Sequence, residues 1–196
     1  AVWVFSHSLN GAEGEYISTE YSNDLKIDMA KSGTMLATVT SDFAKVVVPF
    51  THEDGKPTHV PVNLNAGIVK FQGMMDESTD LPKDGPAWVF SKADGTYYAT
   101  GYGGAPTHLF NAGDYKVKLS MGSAEVEAAF SVEAGKTKDQ VVLLGSGMAR
   151  VNVTYSQGGE AVADGAAIEI RKPAGISGEK EWVATEYGNN KVFQVP

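Results

Sequence analysis

The chain has 196 residues, a formal net charge of −8, 42% hydrophobic residues, 22 Gly, 8 Pro and no Cys. The apolar fraction excludes a disordered tail, and the length allows a buried core in one or two domains. The acidic balance excludes a nucleic-acid partner, which would need a basic patch, and the missing Cys excludes disulfides, thiolate metal sites and thiol nucleophiles.

In chain order, the first element is the Trp3-Val4-Phe5 strand, followed by Tyr16-Ile17-Ser18-Thr19-Glu20-Tyr21. Ser22 to Lys31 is the one helix candidate. Val46, Val48 and Phe50 then alternate with other residues, and a strand opens at Ile68 to Phe71. Further on, Tyr115, Val117 and Leu119 alternate with Lys116 and Lys118, and Val126, Ala128 and Phe130 alternate with Glu125 and Glu127. Val151, Val153 and Tyr155 continue the pattern, and Ile168 and Ile170 flank Glu169. Trp3 and Trp88, with Phe5 and Phe90, occupy the same place as Ile168 and Ile170 and are expected in the core. A period of two produces half-buried antiparallel strands with one wet face. Turn signals such as Asp84-Gly85-Pro86, Asp94-Gly95, Ala112-Gly113-Asp114 and Ala134-Gly135-Lys136 separate the strands. The expected fold is all-β. No apolar run approaches the ~18 residues of a membrane helix.

The chain also repeats itself. Leu64-Asn65-Ala66-Gly67 returns as Leu144-Gly145-Ser146-Gly147, an interval of 147 − 67 = 80 residues. The same interval links Gly33 with Gly113, Gly55 with Gly135, and Ala87-Trp88-Val89-Phe90 with Ala167-Ile168-Glu169-Ile170. Where the interval departs from 80 the difference falls in loops, which lengthen at little entropic cost. Three modules are expected: 1–67, lacking its first strand; 68–147, complete; and 148–196, the N-terminal part only. This reading expects a piece of a longer protein, consistent with the absence of an initiator Met. The edge of the first copy could be filled by a strand like Met148 to Val153 from another molecule, giving a strand-exchange oligomer.

Ala87-Trp88-Val89-Phe90, Asn111-Ala112-Gly113-Asp114-Tyr115-Lys116-Val117, Val132-Glu133-Ala134-Gly135 and Val141-Val142-Leu143-Leu144 together resemble the carboxypeptidase-regulatory-like and prealbumin-like β-sandwich modules of bacterial envelope proteins. The Leu-Asn-Ala-Gly junction and the Trp-Val-Phe strand are also similar to tail repeats of bacterial proteins with a von Willebrand factor A domain. The resemblance implies tandem Ig-like or prealbumin-like antiparallel β-sandwiches without catalysis, serving as structural or adhesive segments in the periplasm or outside the cell. The partner it implies is another protein or an envelope component. The first copy departs at Ser32-Gly33-Thr34-Met35, where Met replaces the turn Tyr.

Candidate chemistry is sparse. His52-Glu53 and His59 resemble a zincin motif, but histidines seven apart do not align on a helix, and both flank the Gly55 turn. His7 and His108 have no neighbouring ligand set in the sequence. Asp76-Glu77-Ser78-Thr79-Asp80 with Asp84 gathers oxygens that calcium would accept, without the spacing of a calcium loop. Gly175-Ile176-Ser177-Gly178-Glu179 lacks the second Gly of a nucleophile elbow, and Gly101-Tyr102-Gly103-Gly104-Ala105-Pro106 ends in Pro where a dinucleotide loop needs Gly. Asn152-Val153-Thr154 is a sequon placed within a strand. Neither an enzyme nor a metal or cofactor is expected.

The aromatics carry the alternative reading. Tyr16, Tyr97 and Trp182 occupy one repeat position, and Glu20 and Glu186 share their parity, which puts the three rings on an outer face. Tyr21, five residues from Tyr16, should then lie on the opposite face. Such rings would form one stacking platform per repeat in a carbohydrate-binding array, with a glycan as partner. The competing assignment is that each ring covers its own cross-strand neighbours.

Overall fold

The computed structural model describes residues 1–23, 25–27, 32–162, 166–172 and 180–195. Every element among them is a strand: β1 (Val2–Leu9), β2 (Ala12–Tyr21), β3 (Gly33–Ser41), β4 (Ala44–His52), β5 (Ala66–Asp76), β6 (Thr79–Asp80), β7 (Ala87–Lys92) and β8 (Tyr97–Tyr102). There follow β9 (Thr107–Asn111), β10 (Gly113–Met121), β11 (Ala124–Val132), β12 (Thr137–Leu143), β13 (Gly147–Val151), β14 (Ala167–Arg171), β15 (Trp182–Tyr187) and β16 (Lys191–Val195). The chain is all-β and forms several antiparallel sheets, as β-sandwich modules require.

The first sheet runs β2-β1-β3-β4 and the second β8-β7-β10-β11, the same order in both. β3 and β10 begin and end 80 residues apart, as do β4 and β11. The β1–β2 hairpin closes on Asn10-Gly11, both at positive φ, a pairing that matches the strand twist. A third sheet has the order β12-β5-β6, with β9 also paired to β5. β13 pairs with β16 and β14 with β15.

By contact density the chain forms two compact units. One contains Ala1–Lys70, Thr107–Tyr115 and Phe130–Asp139; the other contains Phe71–Pro106, Lys116–Ala129 and Gln140–Pro196. In the first, Phe5 stacks on Trp3 at 6.1 Å and meets Phe50 edge-on at 6.3 Å. Phe110, Tyr115 and Phe130 form a triangle with 5.4 Å between each pair of ring centres. Met35 is buried at the position equivalent to Tyr115, so the exchange of Met for Tyr keeps an apolar side chain in the core. In the second unit Phe71 lies 5.4 Å from Trp88 and 5.0 Å from Phe90, with Val117 and Leu119 fully buried. Each such side chain removed from water contributes about 1.5–3 kcal/mol.

The sequence reading needs correction at three points. Trp3 is half-buried rather than core, with its Nε1–H donating to Ser22 O at 2.7 Å. The equivalent Trp88 is wholly buried and donates to Gly103 O at 2.6 Å. The strand expected through Tyr155 ends at Val151, so the Asn152 sequon lies beyond it. Beyond Val151 the Asn189 amide takes the Val153 N–H at 2.7 Å and donates to the Val153 C=O at 2.8 Å, which the Val162 N–H also reaches at 2.9 Å. Thr154 pairs with Ala161 only as an isolated bridge. The described residues between 22 and 27 are not helical, and the rest of that helix candidate, like Gly175 to Glu179, lies outside the described residues.

Candidate functional site

The edge strands β2, β8 and β15 position the aromatic residues, and their registers overturn the parity argument. β2 follows β1 with Val2 opposite Tyr21, Val4 opposite Thr19 and Phe5 opposite Ser18, but Ser6 opposite Tyr16. One residue, Ile17, is therefore extra. β8 has the same bulge, with Ala99 opposite Phe90 but Tyr97 opposite Ser91. β15 repeats it again, with Ala184 opposite Ile170 but Trp182 opposite Arg171. An extra residue reverses the alternation beyond it.

Tyr16 and Tyr21 consequently sit across from Ser6 and Val2, four residues apart on a strand without a bulge between them, and share one face. Tyr97 and Tyr102 share a face in the same way, as do Trp182 and Tyr187. Glu20 moves to the other face, opposite Trp3, and Glu186 lies opposite Ile168. The exposure expected for Tyr16, Tyr97 and Trp182 is observed, but the parity with the glutamates that led to it is not. The bulge was invisible in the sequence because it is a property of backbone pairing, and neither Gly nor Pro marks it.

Each first ring is tied to the residue three positions on. The Tyr16 hydroxyl donates to Thr19 Oγ1 at 3.2 Å, Tyr97 Oη and Thr100 Oγ1 are 3.2 Å apart, and Trp182 Nε1–H donates to Thr185 Oγ1 at 2.9 Å. Trp replaces Tyr without loss of this bond because both rings carry a polar hydrogen at the far end. The bond draws the ring along the strand. These three rings remain 58–64% exposed, and Tyr21, Tyr102 and Tyr187 are 73–78% exposed.

A second constellation was missed in the sequence. At the β3–β4 turn Asp42 adopts φ 51°, and its carboxylate accepts the Leu109 N–H at 2.7 Å. His108 Nδ1 lies 3.2 Å from both carboxylate oxygens, a geometry that requires the proton on Nδ1. Phe43 stacks on the His108 ring at 4.0 Å and meets Phe110 edge-on at 5.5 Å. Asn111 completes the joint, accepting the Lys45 N–H at 3.0 Å and donating to Leu64 O at 2.7 Å. At the equivalent β10–β11 turn, Ser123 Oγ donates to Gln194 O, and Gln194 Nε2 donates to Ser146 Oγ. These hydrogen-bonded partners lie 47 to 71 residues apart, beyond the reach of any local pattern.

The other candidates have local roles. His52 Nδ1 is 3.1 Å from Thr58 Oγ1, while His59 is exposed. Asp76 accepts the Ser78 N–H at 2.8 Å, the Ser78 hydroxyl at 2.8 Å and the Thr79 hydroxyl at 3.3 Å. The Ser78 backbone bond, above all, holds the Asp76 carboxyl below its ordinary range. Gln72 donates to Asp80 at 2.7 Å. Among the described residues no three His, Asp or Glu converge as a metal set. A shallow groove of about 330 Å³ is lined by Ile68, Val132, Glu133, Lys136 and Lys138, among others.

No protein-family model matches the chain, and no curated protein does. One solved structure, described as the Bacillus anthracis TIE protein, is similar at 17% identity and TM-score 0.36. The match covers 99% of this chain but only 40% of that one.

Proposed function

We propose that the chain is a non-catalytic structural or protein-interaction array of β-sandwich modules, prealbumin-like in design, from a bacterial envelope or secreted protein. The observation that carries this reading is the docked turn at Asp42 and Phe43. In the 80-residue register, this turn belongs to the first copy and the strand it grips, Thr107–Asn111, belongs to the second. The Ser123 turn and Gln194 stand in the same relation for the second and third copies. Modules joined by directed hydrogen bonds and ring stacking resist bending better than modules on a free tether. The repeated sheet order, the paired Trp3 and Trp88 bonds and the three bulges also support the tandem reading.

Asp42→Gly tests the joint. Gly is the residue at the equivalent position 122, where φ is 59°, so the turn conformation survives while the carboxylate is lost. Leaving the Leu109 N–H and His108 without their acceptor should cost about 1–3 kcal/mol. The expected result is faster amide exchange at Leu109 and a lower melting temperature. Unchanged Leu109 protection would remove the joint and, with it, the rigid-array reading. The localisation is tested by fractionating the source cells with an antibody to this chain, and recovery from the cytoplasm alone would contradict it.

A further inference from the structure

We infer that each copy carries a two-ring platform for a neutral polysaccharide: Tyr16 with Tyr21, Tyr97 with Tyr102, and Trp182 with Tyr187. The bulge creates the platform by bringing the two rings onto one face. Their strand positions are four register steps apart, about 13 Å at ~3.3 Å per residue, so the ligand is a chain of several sugar rings and not a single sugar. The first ring is held by its bond to Thr yet stays more than half exposed, which limits the rotamer freedom lost on binding.

The residues around the rings select the class of ligand. Across from Tyr16, Thr19 and Tyr21 are Ser6, Val4 and Val2; across from Tyr97, Thr100 and Tyr102 are Ser91, Val89 and Ala87. Ser6 is buried, so the first platform presents the Tyr and Thr hydroxyls, valine surface and aromatic rings. In both platforms the two strands carry no charged side chain at these positions, in a chain whose net charge is −8. A sugar chain offers the matching chemistry, with C–H faces to lie on the rings and hydroxyls to bond Tyr and Thr. In the third copy Glu169 and Arg171 stand opposite Thr185 and Trp182, and they pair with each other.

Elsewhere on the sheets, residues at equivalent positions change character. Leu36 and Lys116 correspond, as do Thr38 and Lys118, and Val47 and Glu127. The aromatic positions keep their chemistry through all three copies while those positions do not. A ring kept only to cover neighbouring side chains would not have to retain an exposed partner four register steps away.

The test is affinity electrophoresis of the whole chain in gels containing hydroxyethyl cellulose, xylan or glucomannan, with pull-down on insoluble chitin. Tryptophan emission is followed alongside, because Trp182 is exposed and Trp88 is wholly buried. The expected result is retardation by at least one of these neutral polysaccharides together with a shift in Trp182 emission. Combined Tyr16→Ala, Tyr97→Ala and Trp182→Ala should weaken binding by at least about tenfold. These substitutions also remove the bonds to Thr, so combined Tyr21→Ala, Tyr102→Ala and Tyr187→Ala serves as the second variant and should weaken binding similarly. No retardation by any member of the panel, or equal retardation of wild type and the second variant, overturns the proposal. A protein that covers these rings would leave the panel negative and so count against it. Failure here leaves the array reading standing, since that depends on the Asp42 joint.

Discussion

Trp88→Ala is expected to lower the unfolding free energy by about 3–5 kcal/mol, the range for truncating a large buried aromatic side chain. The side chain has no exposed surface and lies 5.4 Å from Phe71. Its removal opens a cavity and leaves Gly103 O without the indole N–H that reaches it at 2.6 Å. Trp88→Phe separates the two contributions. It keeps an aromatic ring but loses the bond and part of the volume, for a smaller cost of about 1–3 kcal/mol. Trp3→Ala should also cost less than Trp88→Ala, because Trp3 is half-buried although it occupies the matching position and donates an equivalent bond. Urea unfolding followed by far-UV circular dichroism checks all three. A Trp88→Ala loss below about 1 kcal/mol would mean that the cavity closes by collapse and that this ring is not the keystone of its sheet. A domain is stable by only about 5–15 kcal/mol, so the expected loss is a large share of the whole.

Comparing Trp3 and Trp88 shows which parts of this molecule can be read from sequence. The alternation of Tyr115, Val117 and Leu119 locates β10, and the 80-residue interval places β3 at once, because side-chain parity and turn glycines are local properties. The depth of burial is not local. Trp3 and Trp88 occupy the same repeat position, yet Trp88 is wholly buried against Phe71 of β5 while Trp3 is half-buried. The candidate site divides in the same way. Exposure of Tyr16, Tyr97 and Trp182 was legible, but their partnership with Tyr21, Tyr102 and Tyr187 was hidden, because counting by two assumes an unbroken ladder and each ladder here has one extra residue. The Asp42 joint was hidden for a different reason: its partners meet across 66 and 67 residues, and the sequence marks Asp42 only as a turn residue.

Gly67 and Gly147 extend this point to an experiment in which one substitution at one repeat position should act with opposite sign. Neither residue has a positive φ, so Ala is compatible with the backbone at both. A Cβ at Gly67 would enter the space of Glu133 O and come within 3.0 Å of both Lys136 O and Val132 Cγ1. The turn from Glu133 to Lys136 is bonded onto this strand, with Ile68 N–H reaching Lys136 O at 2.9 Å and Gly135 N–H reaching Ala66 O at 2.8 Å. Gly67→Ala must therefore push the turn away or strain the strand. Overpacking costs about 1–3 kcal/mol, and each backbone bond stretched beyond use adds roughly 0.5–1.5 kcal/mol. A total near 2–4 kcal/mol is expected, with loss of amide protection at Ile68 and Gly135. A Cβ at Gly147 meets nothing within 4 Å, so Ala there acts chiefly by restricting the unfolded chain and should stabilise by about 0.4–1 kcal/mol. Equal effects at the two positions would mean that Glu133 and Lys136 do not hold the opening strand as closely as these bonds require. The Gly of the recurring Leu-Asn-Ala-Gly junction would then serve only the chain's conformational freedom and not this close approach.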